Sequence, residues 1–204
     1  LSTADRMMIQ VPMFHCFGMV LSMTSSFTHG TTMCPLPYFS AKSSLACINQ
    51  ERITCFNGVP TMFIAMFNHP DFKKTNFSYM RTGIMAGSGC PADLMKRASL
   101  PNEMNMRGII SVYGQTESSP GSTMGDWEND TLDERCETVG RAFLNVECKV
   151  IDPETGLEVG PGVNGEFCSR GYNTMKGYYK MPKATEETVD SEGWLHSGDL
   201  AAYD

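Results

Sequence analysis

A chain of 204 residues, 41% of them hydrophobic and 19% charged, is long enough for one large domain or two small ones and too apolar for disorder. Its formal net charge of −7 comes without a basic stripe, so nucleic acid is excluded as an expected partner. No apolar run reaches the length of a transmembrane segment, and the first residues lack the basic-then-apolar pattern of a signal peptide; the cysteines, read as reduced thiols, make the expected location cytoplasmic.

In chain order, residues 7–11 predict a strand and residues 14–27 a helix with Phe14, Phe17 and Leu21 on one face, ending near Gly30. Residues 31–36 predict the next strand, and Ser40 is a plausible N-cap for a helix from Ala41 to Glu51. A strand over 53–59 is closed by Pro60, a short helix follows over 61–67, and 68–79 is polar and turn-rich. A strand over 81–86, a helix over 91–98 with proline in its first turn, and a strand over 106–113 complete an alternation that implies a mostly parallel sheet with flanking helices. Residues 126–136 are acidic and polar and read as a linker or surface loop. Beyond them the strands shorten: 146–151 alternates, glycine and proline mark turns at 152–156 and 160–162, and 165–170 is a further strand. The expected organisation is therefore an α/β subdomain at 1–125, the acidic stretch at 126–136, and a small β-rich subdomain at 137–204.

The 8 cysteines are scattered, without the close pair spacing of a zinc site, and read as buried reduced thiols. Four histidines without ligand spacing argue against a zinc enzyme. The 16 methionines read as adaptable core filler.

Two stretches carry the chemistry. The run Gly108-Ile109-Ile110-Ser111-Val112 breaks into Tyr113-Gly114-Gln115-Thr116-Glu117, delivering polar groups to the end of a strand, where open α/β sheets bind ligands. Tyr113 can stack on a flat ring, the Thr116 hydroxyl can donate to a phosphate oxygen, and Glu117 can hold a hard cation such as Mg²⁺. The competing reading of Thr116 and Glu117 is a plain helix start. The second stretch, Gly193-Trp194-Leu195-His196-Ser197-Gly198-Asp199, ends in a carboxylate on a turn, suited to accepting hydrogen bonds from a ribose diol; the alternative is ordinary turn chemistry. Gly87-Ser88-Gly89 would let a planar ring approach the backbone, and also suits a tight strand-to-helix connection.

These runs resemble the nucleotide-site signatures of the adenylate-forming superfamily, which includes acyl-CoA synthetases, luciferases and peptide-synthetase adenylation domains. YGQTE at 113–117 matches the family's YGxTE, and GWLHSGD at 193–199 matches GWxxTGD with Ser197 in place of threonine. Residues 12–18 resemble PxFHxxG, residues 86–91 the glycine-rich adenine-side turn, and residues 165–171 with 175–179 the GExxxRG…MxGYY series. Five motifs in family order are far more specific than any one of them.

The resemblance implies the acyl-CoA synthetase/luciferase-like fold, with this chain as part of the N-terminal adenylation domain: the upstream phosphate loop and the C-terminal lid with its lysine are expected outside these residues. Lys176, Lys180 and Lys183 are not substitutes for that lysine. It implies an AMP-forming acid–thiol ligase acting on a carboxylic acid, ATP and coenzyme A, with a medium- to long-chain fatty acid as the expected substrate. The implied site comprises Gly87, Ser88, Gly89, Tyr113, Gly114, Gln115, Thr116 and Asp199 for ATP or AMP, and Glu117 for Mg²⁺. Thr116, Glu117 and His15 are the implied catalytic set, His15 lining the acyl and thiol tunnel, although a histidine at a helix start is also a common cap. Trp194, Tyr178 and Tyr179 read as packing residues, and Glu166 with Arg170 as a structural ion pair. The alternatives are a peptide-synthetase-type or aryl-acid adenylating domain, or a non-catalytic adenine-nucleotide-binding module. Residues 1–204 by themselves are expected to be inactive, to bind nucleotide weakly and to self-associate.

Overall fold

Short apolar runs separated by polar turns become the parallel strands of the sheet. These are β1 (Arg6–Ile9), β2 (Thr32–Pro35), β3 (Cys55–Phe56), β4 (Thr82–Ala86) and β5 (Gly108–Tyr113), which pair in parallel in the order β2-β1-β3-β4-β5. Two-residue strands β6 (Thr123–Met124) and β7 (Arg141–Ala142) extend the order to seven. The computed structural model describes residues 1–204, which divide into two units: Leu1–Tyr113 with Met124–Arg141, and Gly114–Thr123 with Ala142–Asp204.

Parallel strands need crossovers, and helices supply most of them here. α1 (Cys16–Gly18), a π-helical stretch Met19–Thr24 and α2 (Ser25–Thr28) follow β1; α3 (Ala41–Glu51), α4 (Pro60–Phe67) and α5 (Ala92–Ser99) follow β2, β3 and β4. Ser40 caps α3 by accepting from the Ser43 amide at 3.1 Å, and Pro60 opens α4 in the first turn, where its missing N–H costs nothing. Met8, Leu45, Ile48, Phe56, Phe63, Met66, Met85, Met95 and Ile109 pack into one buried cluster.

From β1 the chain turns to β2 and then returns to the other side of β1 for β3, so the carboxyl ends of β1 and β3 form a switch point of the kind that opens a crevice in such sheets. Buried amides fill it. Asn57 donates to Leu21 O and Ser22 Oγ, both at 3.0 Å, and accepts from the Ile84 amide at 3.0 Å; Gln10 donates to Asn57 O at 3.3 Å and accepts from Ser44 at 2.9 Å. At the opposite end of β1, Asp5 is buried and held by the Arg81 guanidinium, the Thr54 hydroxyl at 2.8 Å and the Ser2 amide at 2.8 Å. Burial raises the Asp5 pKa, but these partners outweigh it and hold the carboxyl well below the usual carboxylate range.

The second unit holds the antiparallel sheet β10-β9-β8, made of β8 (Val146–Ile151), β9 (Gly165–Gly171) and β10 (Leu195–Ala201), with α7 (Pro182–Thr188) before β10. Its small core is Ile151, Cys168 and Trp194, and the Trp194 ring lies under Lys149 and Arg170, at 4.0 and 4.4 Å from its centroid. A register shift between His196 and Leu200 makes a bulge of residues 197–199. A large, mostly parallel sheet with flanking helices, followed by a small β-rich element, is the α/β class expected from the sequence.

Several local expectations are corrected. The helix predicted over 14–27 begins at Cys16 and leaves Phe14 93% exposed. Its middle is π-helical: the Ser22 and Thr24 hydroxyls bond carbonyls five residues back, at 3.2 and 2.9 Å, which favours the wider turn. The strand predicted over 53–59 shrinks to Cys55–Phe56. The acidic stretch 126–136 is not simply a linker, since it runs into α6 (Leu132–Glu137), which opens on a capping box: Thr131 Oγ1 accepts from the Glu134 amide at 3.2 Å, and Glu134 accepts from the Thr131 amide at 2.7 Å. Arg135 of α6 is buried and donates to Arg107 O and Ile109 O, and Asp133 and Glu137 pair with Lys96 of α5 at 2.6 and 2.8 Å. Residues 124–141 group with the first unit and residues 114–123 with the second. All eight cysteines are free. No helix is long and apolar enough to cross a membrane.

Candidate functional site

In the first unit, β4 and β5 run side by side with Ala86 opposite Val112, so the turn 87–89 and Tyr113 leave the carboxyl ends of neighbouring strands. Gly87 has φ +86°, a left-handed conformation that a side chain would strain. Cys90 closes the turn by donating to Met85 O at 3.1 Å and Ser88 O at 3.3 Å, and burial raises its thiol pKa, so it is a weak nucleophile. His15, also in this unit, is exposed and caps α1: its Nδ1 accepts from the Phe17 amide at 3.1 Å. That bond commits Nδ1 to the cap.

In the second unit, residues 114–117 and 197–199 meet. Gly114 lies so close to Pro120 that a Cβ would fall 2.1 Å from its carbonyl oxygen, which fixes glycine at this position. Gln115 opens the 3₁₀ turn Thr116–Ser118, its amide donating to Ser118 Oγ at 2.9 Å. Its side-chain Nε2 donates twice, to Ser197 O at 2.7 Å and to Asp199 Oδ2 at 3.2 Å. Asp199 is exposed on the bulge, its amide donating to Ser197 Oγ at 3.1 Å, while Ser197 Oγ donates to Phe167 O at 2.6 Å. The two motifs, 84 residues apart, are thus joined by one amide side chain.

Glu117 is half-buried, and one carboxylate oxygen accepts from the Tyr178 hydroxyl at 2.7 Å. That bond, with some burial, raises the Tyr178 pKa above its ordinary value and keeps the phenol a donor. The Glu117 carbonyl accepts from the Met175 amide at 2.7 Å, and Asn173 donates to Ser118 O and Gly121 O at 3.1 and 2.7 Å. Thr116 is exposed beside Glu117. A carboxylate next to a hydroxyl is the small donor set that Mg²⁺ takes when water and phosphate oxygens fill its remaining positions, so these residues fit that cation.

Three sequence expectations change. Tyr178 is a partner of Glu117 rather than a packing residue, and Tyr179 is 86% exposed. Arg170 pairs with Glu147 at 2.8 Å and not with Glu166. Glu166 instead accepts from the Gly198 amide at 2.9 Å and lies 3.1 Å from His196 Nδ1. Burial, with the Glu166 carboxylate nearby, pushes the Cys168 thiol up to about 11.

The parallel sheet, the strand-end tyrosine and the linked pair of motifs define a nucleotide-binding α/β fold, and the chain belongs to the AMP-binding enzyme family, which matches residues 1–179. It is 46% identical over 204 residues to a putative acyl-CoA synthetase of Bacillus subtilis, covering 100% of this chain and 37% of that protein. It is 38% identical over 200 residues to the mitochondrial medium-chain acyl-CoA ligase of Rattus norvegicus, covering 98% of this chain and 32% of that protein. Among solved structures, ATP-bound MatB from Rhodopseudomonas palustris matches with a TM-score of 0.87 at 28% identity, over 100% of this chain and 39% of that one. A long-chain-fatty-acid-CoA ligase from Archaeoglobus fulgidus matches with a TM-score of 0.85 at 26% identity, over 100% and 42%. The chain spans less than half the length of each of these relatives.

Proposed function

We propose that this chain is the nucleotide-binding part of an AMP-forming acid–thiol ligase. In the first half-reaction an oxygen of a carboxylic acid attacks the α-phosphorus of ATP, pyrophosphate leaves, and an acyl-adenylate forms. In the second, the thiol of coenzyme A attacks the acyl carbonyl, AMP leaves, and a thioester results. The observation that carries the reading is the double hydrogen bond from Gln115 to Ser197 O and Asp199, which joins the YGQTE and GWLHSGD motifs within one unit.

In this reading Asp199 accepts from the ribose hydroxyls, with Gln115 fixing its carboxylate. Gly87, Ser88, Gly89 and Tyr113 receive the adenine ring, and Gly114 keeps the loop close to Pro120. Thr116 donates to a phosphate oxygen, and Glu117, oriented by Tyr178, holds Mg²⁺. Phosphoryl chemistry of this type is catalysed mainly by positioning and charge neutralisation, which is what these groups provide. When bound, Mg²⁺ would supply neutralisation of the charge on the departing pyrophosphate. His15 serves as an orientation element beside the acyl and thiol path, because its Nδ1 is committed to the helix cap.

A fatty acid of medium to long chain is the proposed acid, supported by the names of the Rattus norvegicus and Archaeoglobus fulgidus relatives. The test is acid-dependent exchange of labelled pyrophosphate into ATP by the ligase that carries this chain, across fatty, aryl and amino acids. Exchange is expected with aliphatic acids. Exchange with amino acids alone would overturn the acyl-CoA reading in favour of a peptide-synthetase type, and exchange with none would favour a non-catalytic nucleotide binder.

A further inference from the structure

The second unit contains a side-chain cluster that the proposed ligase chemistry does not use. Cys168 on β9 lies directly opposite His196 on β10, and Glu166, two residues before Cys168, shares its face of the strand. We propose that Glu166, Cys168 and His196 form a binding site for a thiophilic divalent cation, Zn²⁺ foremost, with water as the fourth ligand.

Geometry supports the assignment. Cys168 Sγ lies 3.6 Å from His196 Nδ1, which lies 3.1 Å from Glu166 Oε2, and the three ligand atoms all fall within 4.8 Å of one another. A tetrahedral zinc with Zn–S of about 2.3 Å and Zn–N and Zn–O of about 2.0 Å separates sulfur from nitrogen by about 3.5 Å and nitrogen from oxygen by about 3.3 Å. The sulfur–nitrogen and nitrogen–oxygen spacings match these values to within tenths of an ångström, and the sulfur–oxygen spacing, at most 4.8 Å, closes toward about 3.5 Å on binding.

The surroundings have the second layer that such sites require. His196 Nε2 faces Asp190 Oδ2 at 3.5 Å, and Asp190 is itself fixed by the Glu192 and Trp194 amides, each donating to Oδ1 at 2.9 Å. A carboxylate on the far ring nitrogen holds the histidine with Nδ1 toward the metal. Glu166 is aimed by the Gly198 amide on its other oxygen. Cys168 is fully buried, whereas His196 and Glu166 keep 29% and 20% of their side-chain surface exposed, which leaves an entry path and room for water. The charged groups nearby are Glu166, Asp190 and Lys149, the last held over Trp194; with a Cys168 thiolate the site would carry three negative charges against one positive. Occupancy would clamp β9 to β10 immediately before the bulge that carries Asp199.

The experiment titrates the full 204-residue chain, untagged, reduced and stripped of metal by chelation, with Co²⁺ and then Zn²⁺. Expected is one equivalent of Co²⁺ with the visible bands of a tetrahedral ion and a thiolate charge-transfer band, displaced stoichiometrically by Zn²⁺. Cys168→Ser and His196→Gln should each abolish the signal, Cys148→Ser should retain it, and Asp190→Asn should weaken binding by about 10- to 100-fold. X-ray absorption at the zinc edge on the unsubstituted chain should give one sulfur and three nitrogen or oxygen neighbours, a reading that does not depend on whether a variant folds. Absence of a stoichiometric ion, a signal that survives both Cys168→Ser and His196→Gln, or a shell with no sulfur or with two or more would overturn the proposal.

Discussion

Gln115→Ala tests the link on which the functional reading depends. The substitution removes two hydrogen bonds: one to Ser197 O at 2.7 Å, worth about 1 kcal/mol, and a longer one to the exposed Asp199 carboxylate at 3.2 Å, worth about 0.5–1 kcal/mol. The sum, about 1.5–2 kcal/mol, corresponds to about 10- to 30-fold in an equilibrium constant. The bulge keeps the bonds from the Gly198 amide to Glu166 and from the Asp199 amide to Ser197 Oγ, so the low end of that range is expected. Because a ribose contact is made in both ground and transition states, the loss should appear as a KM for ATP raised about 10-fold, with kcat changed by less than about threefold. Asp199→Ala should raise the same constant further, and adding Gln115→Ala to it should do little more, since the shared contact is already gone. Steady-state kinetics of the four proteins of this cycle at saturating acid and coenzyme A would decide it. An unchanged KM in Gln115→Ala, or fully additive effects in the double variant, would refute the idea that Gln115 acts through Asp199.

Glu117→Gln keeps the shape of the side chain but removes the anion, so kcat should fall by about 100-fold or more with a smaller effect on nucleotide binding; near-normal turnover at saturating Mg²⁺ would return Glu117 to a turn-capping role. Asn57→Ala removes three hydrogen bonds of a buried side chain at about 1 kcal/mol each, so urea denaturation should show a loss of about 3 kcal/mol, and a loss below about 1 kcal/mol would contradict the network. The depressed Asp5 pKa makes a contribution to stability that is complete above the unfolded value of about 3.9 and is lost as pH falls through that value and below it. Asp5→Asn should therefore be less stable at neutral pH and lose less stability on acidification from pH 6 to 3 than the parent; parallel pH curves would rule the linkage out.

Periodicity made the parallel strands legible, because buried runs such as 108–112 stop at residues that end strands. It also over-read: 53–59 looked like a full strand, but beyond Phe56 the chain turns Asn57 into a buried polar network. α6 was hidden by its acidity, although Thr131 followed by Glu134 was a readable capping box. The candidate residues Tyr113, Gln115, Thr116, Glu117 and Asp199 stood out in local motifs. What joins them did not, since the Gln115–Asp199 and Glu117–Tyr178 contacts span 84 and 61 residues, and the first lies on a register shift that no local pattern encodes. Cys168 and His196 escaped for the same reason: they are 28 residues apart and become neighbours only through antiparallel pairing. For His15 the sequence offered a cap or a tunnel residue, and the cap is a hydrogen bond in the structure.

The placement of residues 114–123 within the second unit has a consequence for how such a protein can be recombined. The chain passes between units three times, after residues 113, 123 and 141, so no single cut yields two self-sufficient modules. An exchange of residues 142–204 with a relative would separate Glu117 from Tyr178, Gln115 from Asp199, Ser122 from Ser169, and Asn173 from Ser118 and Gly121. The heritable module is written in two discontinuous passages of sequence, and a functional chimera has to carry both from the same parent.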